Sequence, residues 1–324
     1  MRITELGNSD VQVSRLGLGS MTWGSGTGPN DVVALLKRFV DAGGNLVDTA
    51  AAYGFGEVET LIGHILSHTI NRDDLVLATK SGFVLRGGDR VIDTSRVALL
   101  EDLAGSLRRM GTDHVDLWQV HAWGDAPIEE TMMAIDEAVA KGMARAAGVS
   151  NFVGWQVGVA ATWQRALHRH PLVAAQAEYS LLNRRAELEL LPCVSDLGMG
   201  FLPWSALGRG VLTGKYESGT PKGSRRDSSP MAWFVEEYLD EGSRRIVKAV
   251  MTAAEGLELR PEQVAYLWVR DAPGVTSPLV GPRTVEQLEP LLEVDSLELP
   301  PAIIAALDDV SGGPNAGRGV VGDN

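Results

Sequence analysis

Residues 75–121 open with Leu75-Val76-Leu77-Ala78-Thr79-Lys80 and close with Val115-Asp116-Leu117-Trp118-Gln119-Val120-His121. Both runs are short and mostly apolar, as strands covered on both faces are. Between them Val97, Leu100, Leu103, Leu107 and Met110 recur at helical spacing, with Thr94 placed to cap the helix. Strand, helix, strand is a crossover unit that joins parallel strands.

The same rhythm extends in both directions. Upstream, Val32, Leu35, Leu36, Phe39 and Val40 mark a helix stopped by Ala42-Gly43-Gly44, followed by the strand Asn45-Leu46-Val47-Asp48. A helix is expected from about Val58 to His68. Downstream, a helix over Ile128 to Ala140 stops at Gly142, and the strand Ala146-Ala147-Gly148-Val149 enters Ser150-Asn151. Trp155 to His168 reads as a helix, and Val173 to Glu178, Gly200 to Pro203 and Val275 to Val280 read as strands. Helices around Ala186 to Asp196 and Gln263 to Arg270 separate them. With Ser14-Arg15-Leu16-Gly17-Leu18-Gly19 the count reaches about eight units, and eight parallel strands close with their helices outside. A doubly wound open sheet is the competing topology, but Gly17-Leu18-Gly19-Ser20-Met21-Thr22 lacks the third glycine of a dinucleotide fingerprint. The expectation is an α/β chain forming a single (β/α)8 TIM barrel over residues 1–324. It carries an N-terminal β-hairpin over 1–13 plugging the barrel floor, a mobile loop over 217–232, and a C-terminal helix and tail over 311–324.

Composition narrows the function classes. The 324 residues include 29 Lys and Arg against 42 Asp and Glu, a net charge of −13. That balance argues against binding nucleic acid, whose phosphates need a positive face. With 44% hydrophobic residues the chain has enough apolar material for a core. The single Cys193 fits a reducing compartment and reads as structural. The first ten residues hold no apolar stretch and no run approaches a membrane span, so a cytoplasmic protein without a membrane partner is expected. His64 and His68 lie four apart without the acid of a zinc-protease motif, and no metal is expected.

In such a barrel, chemistry belongs at the C-terminal ends of the strands. The last polar residues of three early strands are Asp48, Lys80 and His121, and Tyr53 lies just beyond Asp48. Each alone has a plain reading: a turn or helix cap for Asp48, a solvated charge for Lys80, a core aromatic for Tyr53, a satisfied polar residue for His121. Together they supply what carbonyl reduction needs. Hydride addition leaves an alkoxide that must be protonated. Tyr53 is a weak acid, Lys80 is placed to lower its pKa, Asp48 to pair with Lys80, and His121 to bond the carbonyl oxygen.

These residues stand in motifs that resemble the aldo-keto reductases, and within them a bacterial branch similar to potassium-channel β-subunits. The motifs are Asp48-Thr49-Ala50-Ala51-Ala52-Tyr53-Gly54-Phe55-Gly56, Thr79-Lys80, Asp116 to His121, Gly148-Val149-Ser150-Asn151-Phe152, Gln176 to Leu182, Trp204 to Tyr216, and Gly281-Pro282-Arg283-Thr284 with Gln287. The resemblance covers residues 2 to 292, and the ordered set is specific. It implies reduction of aldehydes or ketones with NADPH, with Asp48, Tyr53, Lys80 and His121 as the catalytic tetrad and Tyr53 as proton donor. It implies that Ser150, Asn151 and Gln176 hold the nicotinamide carboxamide and that Trp204 stacks on the ring. Ser205, Leu207, Gly208 and Arg209 would follow the pyrophosphate, Arg283 would meet the ribose 2′-phosphate, and Gly281 and Gln287 would also belong to the cofactor site. Gly19 and Met21 would line the cleft.

The chain departs from the family where Pro290-Leu291 replaces the Glu-Asn that contacts adenine in relatives. Trp23, Phe55, Phe83, Trp123 and Trp233 are the candidate aromatic walls for a carbonyl substrate. Two other functions compete: an NADPH-binding redox sensor with little turnover, and a Schiff-base aldolase using Lys80. The sequence leaves open the substrate, the direction of reaction, the choice between NADPH and NADH at the Pro290-Leu291 departure, and the oligomeric state.

Overall fold

The computed structural model describes residues 1–87, 89–224, 226–227 and 232–312. Two antiparallel strands come first, β1 (Ile3–Glu5) and β2 (Gln12–Ser14), with Ile3 opposite Ser14. Eight parallel strands follow: β3 (Gly17–Gly19), β4 (Leu46–Asp48), β5 (Val76–Ser81), β8 (Val115–Val120), β9 (Ala144–Ser150), β10 (Leu172–Glu178), β11 (Gly200–Trp204) and β12 (Leu279–Val280). They run in chain order around the sheet, and β12 pairs with β3. A parallel bridge from Phe201 to Val275 and the bond from the Thr276 amide to the Phe201 carbonyl (2.9 Å) close the remaining seam. The fold is the expected (β/α)8 barrel.

The barrel interior is packed from below. Leu46, Ala78, Leu117, Ala146, Ala174, Leu202 and Leu279, each from a different barrel strand, cluster with Leu6, Val11 and Val13 of the N-terminal hairpin. The hairpin tip presses on the floor: Gly7 has φ +59°, and a Cβ there would lie 2.5 Å from the Val173 carbonyl oxygen. Glycine alone fits that approach without strain. A second, larger core lies between the strands and the outer helices.

The helices α1 (Pro29–Asp41), α2 (Glu57–His68), α4 (Ile128–Ala140), α5 (Gly154–Ala166) and α9 (Pro261–Arg270) fall where the apolar period puts them. Helix α3 (Arg96–Met110) differs in phase. Ser95, not Thr94, is its cap, accepting from the Ala98 amide, and Val97 is 60% exposed while Leu99 is fully buried. The inward stripe is Leu99, Leu103, Leu107 and Met110. Thr94 instead offers its carbonyl to the Thr131 hydroxyl. Helix α6 (Leu190–Asp196) is shorter than expected, because Arg185–Glu187 forms a separate 3-10 turn.

Several elements escaped the strand–helix rhythm because they are insertions into it. The hairpin β6 (Phe83–Arg86) and β7 (Asp89–Ile92) interrupts the β5-to-α3 crossover. Helices α7 (Ala232–Glu236) and α8 (Glu241–Leu257) are inserted before α9; α10 (Val285–Leu292) is the helix of the eighth unit, after β12, and α11 (Pro301–Ser311) is the expected C-terminal helix, lying just upstream of the expected 311–324. The expected loop over 217–232 is turn-rich as far as it is described and gives way to α7 at Ala232; residues 225 and 228–231, and the tail from 313, lie outside the described residues. Among the described residues no helix is long and apolar enough to cross a membrane.

The floor contact carries a testable consequence. Leu6 has no exposed surface, and with Val11 and Val13 it packs the hairpin against the barrel strands. Leu6→Ala is expected to lower unfolding stability by about 2–5 kcal/mol, read as a shift of the urea midpoint without change of slope.

Candidate active site

Every strand of the barrel delivers its last residues to one mouth. A cavity of about 700 Å3 opens there, lined among others by Gly19, Asp48, Tyr53, His121, Ser150, Gln176, Trp204 and Val280. Asp48 is the last residue of β4 and Lys80 the fifth of the six in β5. Their side chains are 4% and 1% exposed, with Lys80 Nζ 2.5 Å from Asp48 Oδ1. The same ammonium donates to the Thr49 carbonyl at 2.8 Å and to the Tyr53 hydroxyl at 3.5 Å. The other Asp48 oxygen accepts from Gln176 Nε2 at 2.9 Å and Gln119 Nε2 at 3.4 Å. All four residues of the expected tetrad therefore meet, with Tyr53 and His121 facing the cavity and Lys80 behind them.

The charges are set by burial and by this pair. For Lys80, burial acts to lower the pKa, but Asp48 and then Tyr53 outweigh it and leave it above its ordinary value. For Tyr53, burial raises the pKa more than the Lys80 ammonium lowers it, so the net direction is upward. The sequence-based expectation that Lys80 lowers it holds for the pairwise effect and fails for the sum, because the phenol also loses its water. His121 lies well below its ordinary value through burial, then Lys80, then Arg90. Its ring stands edge-on to Tyr53 at 6.0 Å and to Phe83 at 4.7 Å. At neutral pH the site thus holds a protonated phenol, a protonated lysine and a neutral imidazole.

Around this centre lie the residues expected to hold a dinucleotide. Gly19, Met21, Ser150, Asn151, Gln176, Trp204, Ser205, Leu207, Arg209, Gly281, Arg283 and Gln287 all line the cavity. Gly208 does not; it sits behind, where a Cβ would lie 2.6 Å from Leu182 Cδ1. Asn151 is fixed on three sides: its amide nitrogen donates to the His121 carbonyl, its side-chain oxygen accepts from the Trp204 indole, and its backbone amide bonds the Gln176 carbonyl. Gln176 spends Nε2 on Asp48, and its Oε1 has no hydrogen-bond partner among the described residues.

Arg209 corrects the electrostatic expectation. It borders the cavity, but its guanidinium is clamped by Glu178 at 2.9 and 2.7 Å and by Glu237 at 2.8 Å, and it stacks on Phe234 at 3.9 Å. Its charge is neutralised within the protein. The cationic residues that line the same part of the cavity are Arg283, Lys215 and Lys222. Arg283 Nη1 donates to the Gly223 carbonyl at 2.7 Å, joining the turn over 221–224 to the β12–α10 connection. At the far end, Pro290 and Leu291 lie buried in α10; Leu291 lines the cavity beside Gln287 and Glu262.

Of the expected aromatic walls, Phe83 alone lines the cavity among the described residues. Trp23 is 1% exposed and belongs to the core. Trp123 packs on Phe152 and Trp155 outside the mouth. Phe55 and Trp233 are 72% and 68% exposed and do not border the cavity. Phe234 takes the place expected of Trp233, nearly parallel to Trp204 at 6.4 Å. The neighbour was a weak signal in the sequence. Arg90 of β7, which also lines the cavity, carries no such signal, because its hairpin is an insertion that no periodicity marks.

Among the described residues, three buried polar atoms at this cavity have no partner: Thr22 Oγ1, His121 Nδ1 and Ser150 Oγ. Buried polar groups are seldom left unpaired, and on residues that line the cavity these are available to a polar ligand. Together with the flat Trp204 indole and the Arg283 cation, they suit a nicotinamide dinucleotide.

Comparisons with known proteins agree with this geometry. The sequence model of the Aldo/keto reductase family matches residues 15–311. The chain is 33% identical to "Uncharacterized oxidoreductase YrpG" of Bacillus subtilis (strain 168), with 97% of each chain covered. It is 33% identical to "Aldo-keto reductase YhdN" of the same organism, covering 91% of this chain and 88% of the relative. It is 34% identical to "Protein tas" of Escherichia coli (strain K12), covering 96% and 97%.

The buried pair can be tested without any ligand. Lys80→Met strands the Asp48 carboxylate among Gln119 and Gln176 with no compensating charge. The expected loss is about 3–5 kcal/mol, measured by urea denaturation of the variant against wild type.

Proposed function

Because this chain belongs to the aldo/keto reductase family, we propose that it reduces an aldehyde or ketone to the alcohol, with NADPH as the hydride source and Tyr53 as the proton donor. The observation that carries this reading is the Tyr53 hydroxyl, at the edge of the cavity and 3.5 Å from a lysine that is itself locked to Asp48. When bound, the dinucleotide supplies the hydride. The protein's residues do the rest. His121, neutral, donates an N–H to the carbonyl oxygen and orients it. Tyr53 gives its proton to the oxygen as negative charge develops there, and the Lys80 ammonium stabilises the phenolate left behind. Ser150, Asn151 and the free Gln176 oxygen offer donors and acceptors to a carboxamide, and Trp204 offers a face to an aromatic ring.

Arg283 is the residue proposed to meet a ribose 2′-phosphate, since Arg209 is occupied by Glu178 and Glu237. A Schiff-base role for Lys80 is disfavoured by the same geometry. An imine-forming lysine must be neutral and reachable, whereas Lys80 is 1% exposed, held by Asp48 and shifted toward the charged form. A sensor without turnover is separated by experiment: cofactor binding with no oxidation across a broad carbonyl panel would favour it and overturn the reductase reading.

Tyr53→Phe is expected to lower kcat for carbonyl reduction by about 10²–10⁴-fold while leaving NADPH-induced quenching of tryptophan fluorescence unchanged. Full activity in that variant would refute the proton-donor assignment. The pH dependence follows from the directions of the shifts. His121 stays neutral through its ordinary range, so the rate should show no break near pH 6.5. Tyr53 must be protonated to act and its pKa is raised, so activity persists through neutral pH and falls only on the alkaline side, as pH rises through the folded-state value. Arg283→Gln is expected to weaken NADPH binding roughly 10–100-fold, the range of a charge-assisted hydrogen bond. NADH binding should change far less, as fluorescence titration of the two cofactors would read.

A further inference from the structure

The β6–β7 hairpin leaves the barrel directly after β5, the strand that carries Lys80. It places Arg90 beside the reacting groups. One N–H of its guanidinium donates to the Ala52 carbonyl at 2.7 Å, one residue before Tyr53. The guanidinium lies 5.5 Å from the centre of the Phe83 ring, and Phe83 packs edge-on against His121. Arg90, Phe83, Tyr53 and His121 line one continuous part of the cavity.

The charge on Arg90 is spent on no carboxylate among the described residues. Arg209, at the other side, is neutralised by two. Lys80 is neutralised by Asp48. A guanidinium carries five N–H donors in a planar fork suited to carboxylate or phosphate, and the Ala52 carbonyl takes one. In a chain of net charge −13, an unneutralised cation at the catalytic end of the cavity is chemically specific.

We infer that the carbonyl substrate carries an anionic group, a carboxylate or a phosphate-type oxyanion, and that Arg90 binds it while the carbonyl lies between Tyr53 and His121. This rests on the carbonyl-reductase reading. Phe83 then covers the carbon chain that joins the two ends. Arg90 acts as a specificity residue and contributes no proton to the reaction.

The test compares matched pairs of small aldehydes: 4-oxobutanoate against pentanal for the carboxylate, and phosphonoacetaldehyde against propanal for the phosphate-type anion. The wild-type enzyme is expected to show a lower KM for at least one anion than for its neutral partner, and the pair in which it does so identifies the anion. Arg90→Gln should raise that KM about tenfold or more and leave the neutral aldehydes within about twofold, with kcat little changed; Arg90→Lys should restore part of the loss. Equal KM values for charged and neutral partners in wild type would overturn the inference. So would a loss in Arg90→Gln that falls equally on both, which would mean that the residue only props the loop through Ala52. If wild type oxidises NADPH neither with these aldehydes nor with any compound of a broad carbonyl panel, the reductase reading fails as well, whereas turnover of neutral aldehydes without an anion preference defeats the Arg90 inference alone.

Discussion

The ion pair between Lys80 and Asp48 is the constraint on which the mouth of the barrel depends. Two charges taken out of water cost several kcal/mol each, and their attraction repays this only when the remaining hydrogen-bonding capacity is also met. Here it is met from around the barrel. Asp48 of β4 receives Lys80 from β5, Gln119 from β8 and Gln176 from β10. Its backbone carbonyl receives the Ser20 amide and hydroxyl, just past β3. The pair therefore fixes the relative heights of five strand ends. Tyr53 inherits its position from this assembly, because the loop that carries it begins at Thr49, whose carbonyl binds the same ammonium.

A second feature of the mouth is backbone strain that the assembly holds in place. Asn151, Ser205 and Arg209 adopt φ values of +57°, +57° and +58°, a region that non-glycine residues enter at a cost. All three follow closely on β9 or β11 and border the cavity. Asn151 is tied to His121, Gln176 and Trp204, and Arg209 to Glu178 and Glu237. The ties explain how the strain persists.

The sequence made the barrel legible because its strands are apolar on both faces and end on polar residues, a pattern that survives without knowledge of packing. The tetrad was legible for a related reason: Asp48, Lys80 and His121 are each recognisable as strand ends. What escaped had no such local signature. Val97 and Leu100 look as apolar as Leu99, and only the packing of α3 against its neighbours decides which face turns inward. Trp23, Trp123 and Trp233 have the same chemistry as a pocket wall, yet burial, ring stacking and exposure take them elsewhere. Arg209 reads as a phosphate ligand until Glu178, thirty-one positions away, is seen to hold it. The β6–β7 hairpin contributes a pocket residue through a turn that interrupts the expected crossover, and no periodicity announces an insertion.

The overall charge matters less at this site than its sign suggests. In physiological salt, screening reduces interactions between exposed charges over about 8 Å, so carboxylates on distant helices scarcely act on a molecule inside the cavity. A cation lining the wall meets a bound anion at contact distance, well inside the screening length. The arrangement separates these cations. Lys222 and Arg283 stand toward the turn over 221–224, while Arg90 stands beside Tyr53 and His121, with Arg209 neutralised on the wall between β11 and α7. A positive charge spread along the whole cavity would hold any anion in many registers. Arg90 beside Tyr53 and His121 and Arg283 beside the turn over 221–224 instead offer separate positive positions, because Glu178 and Glu237 cancel the charge of Arg209.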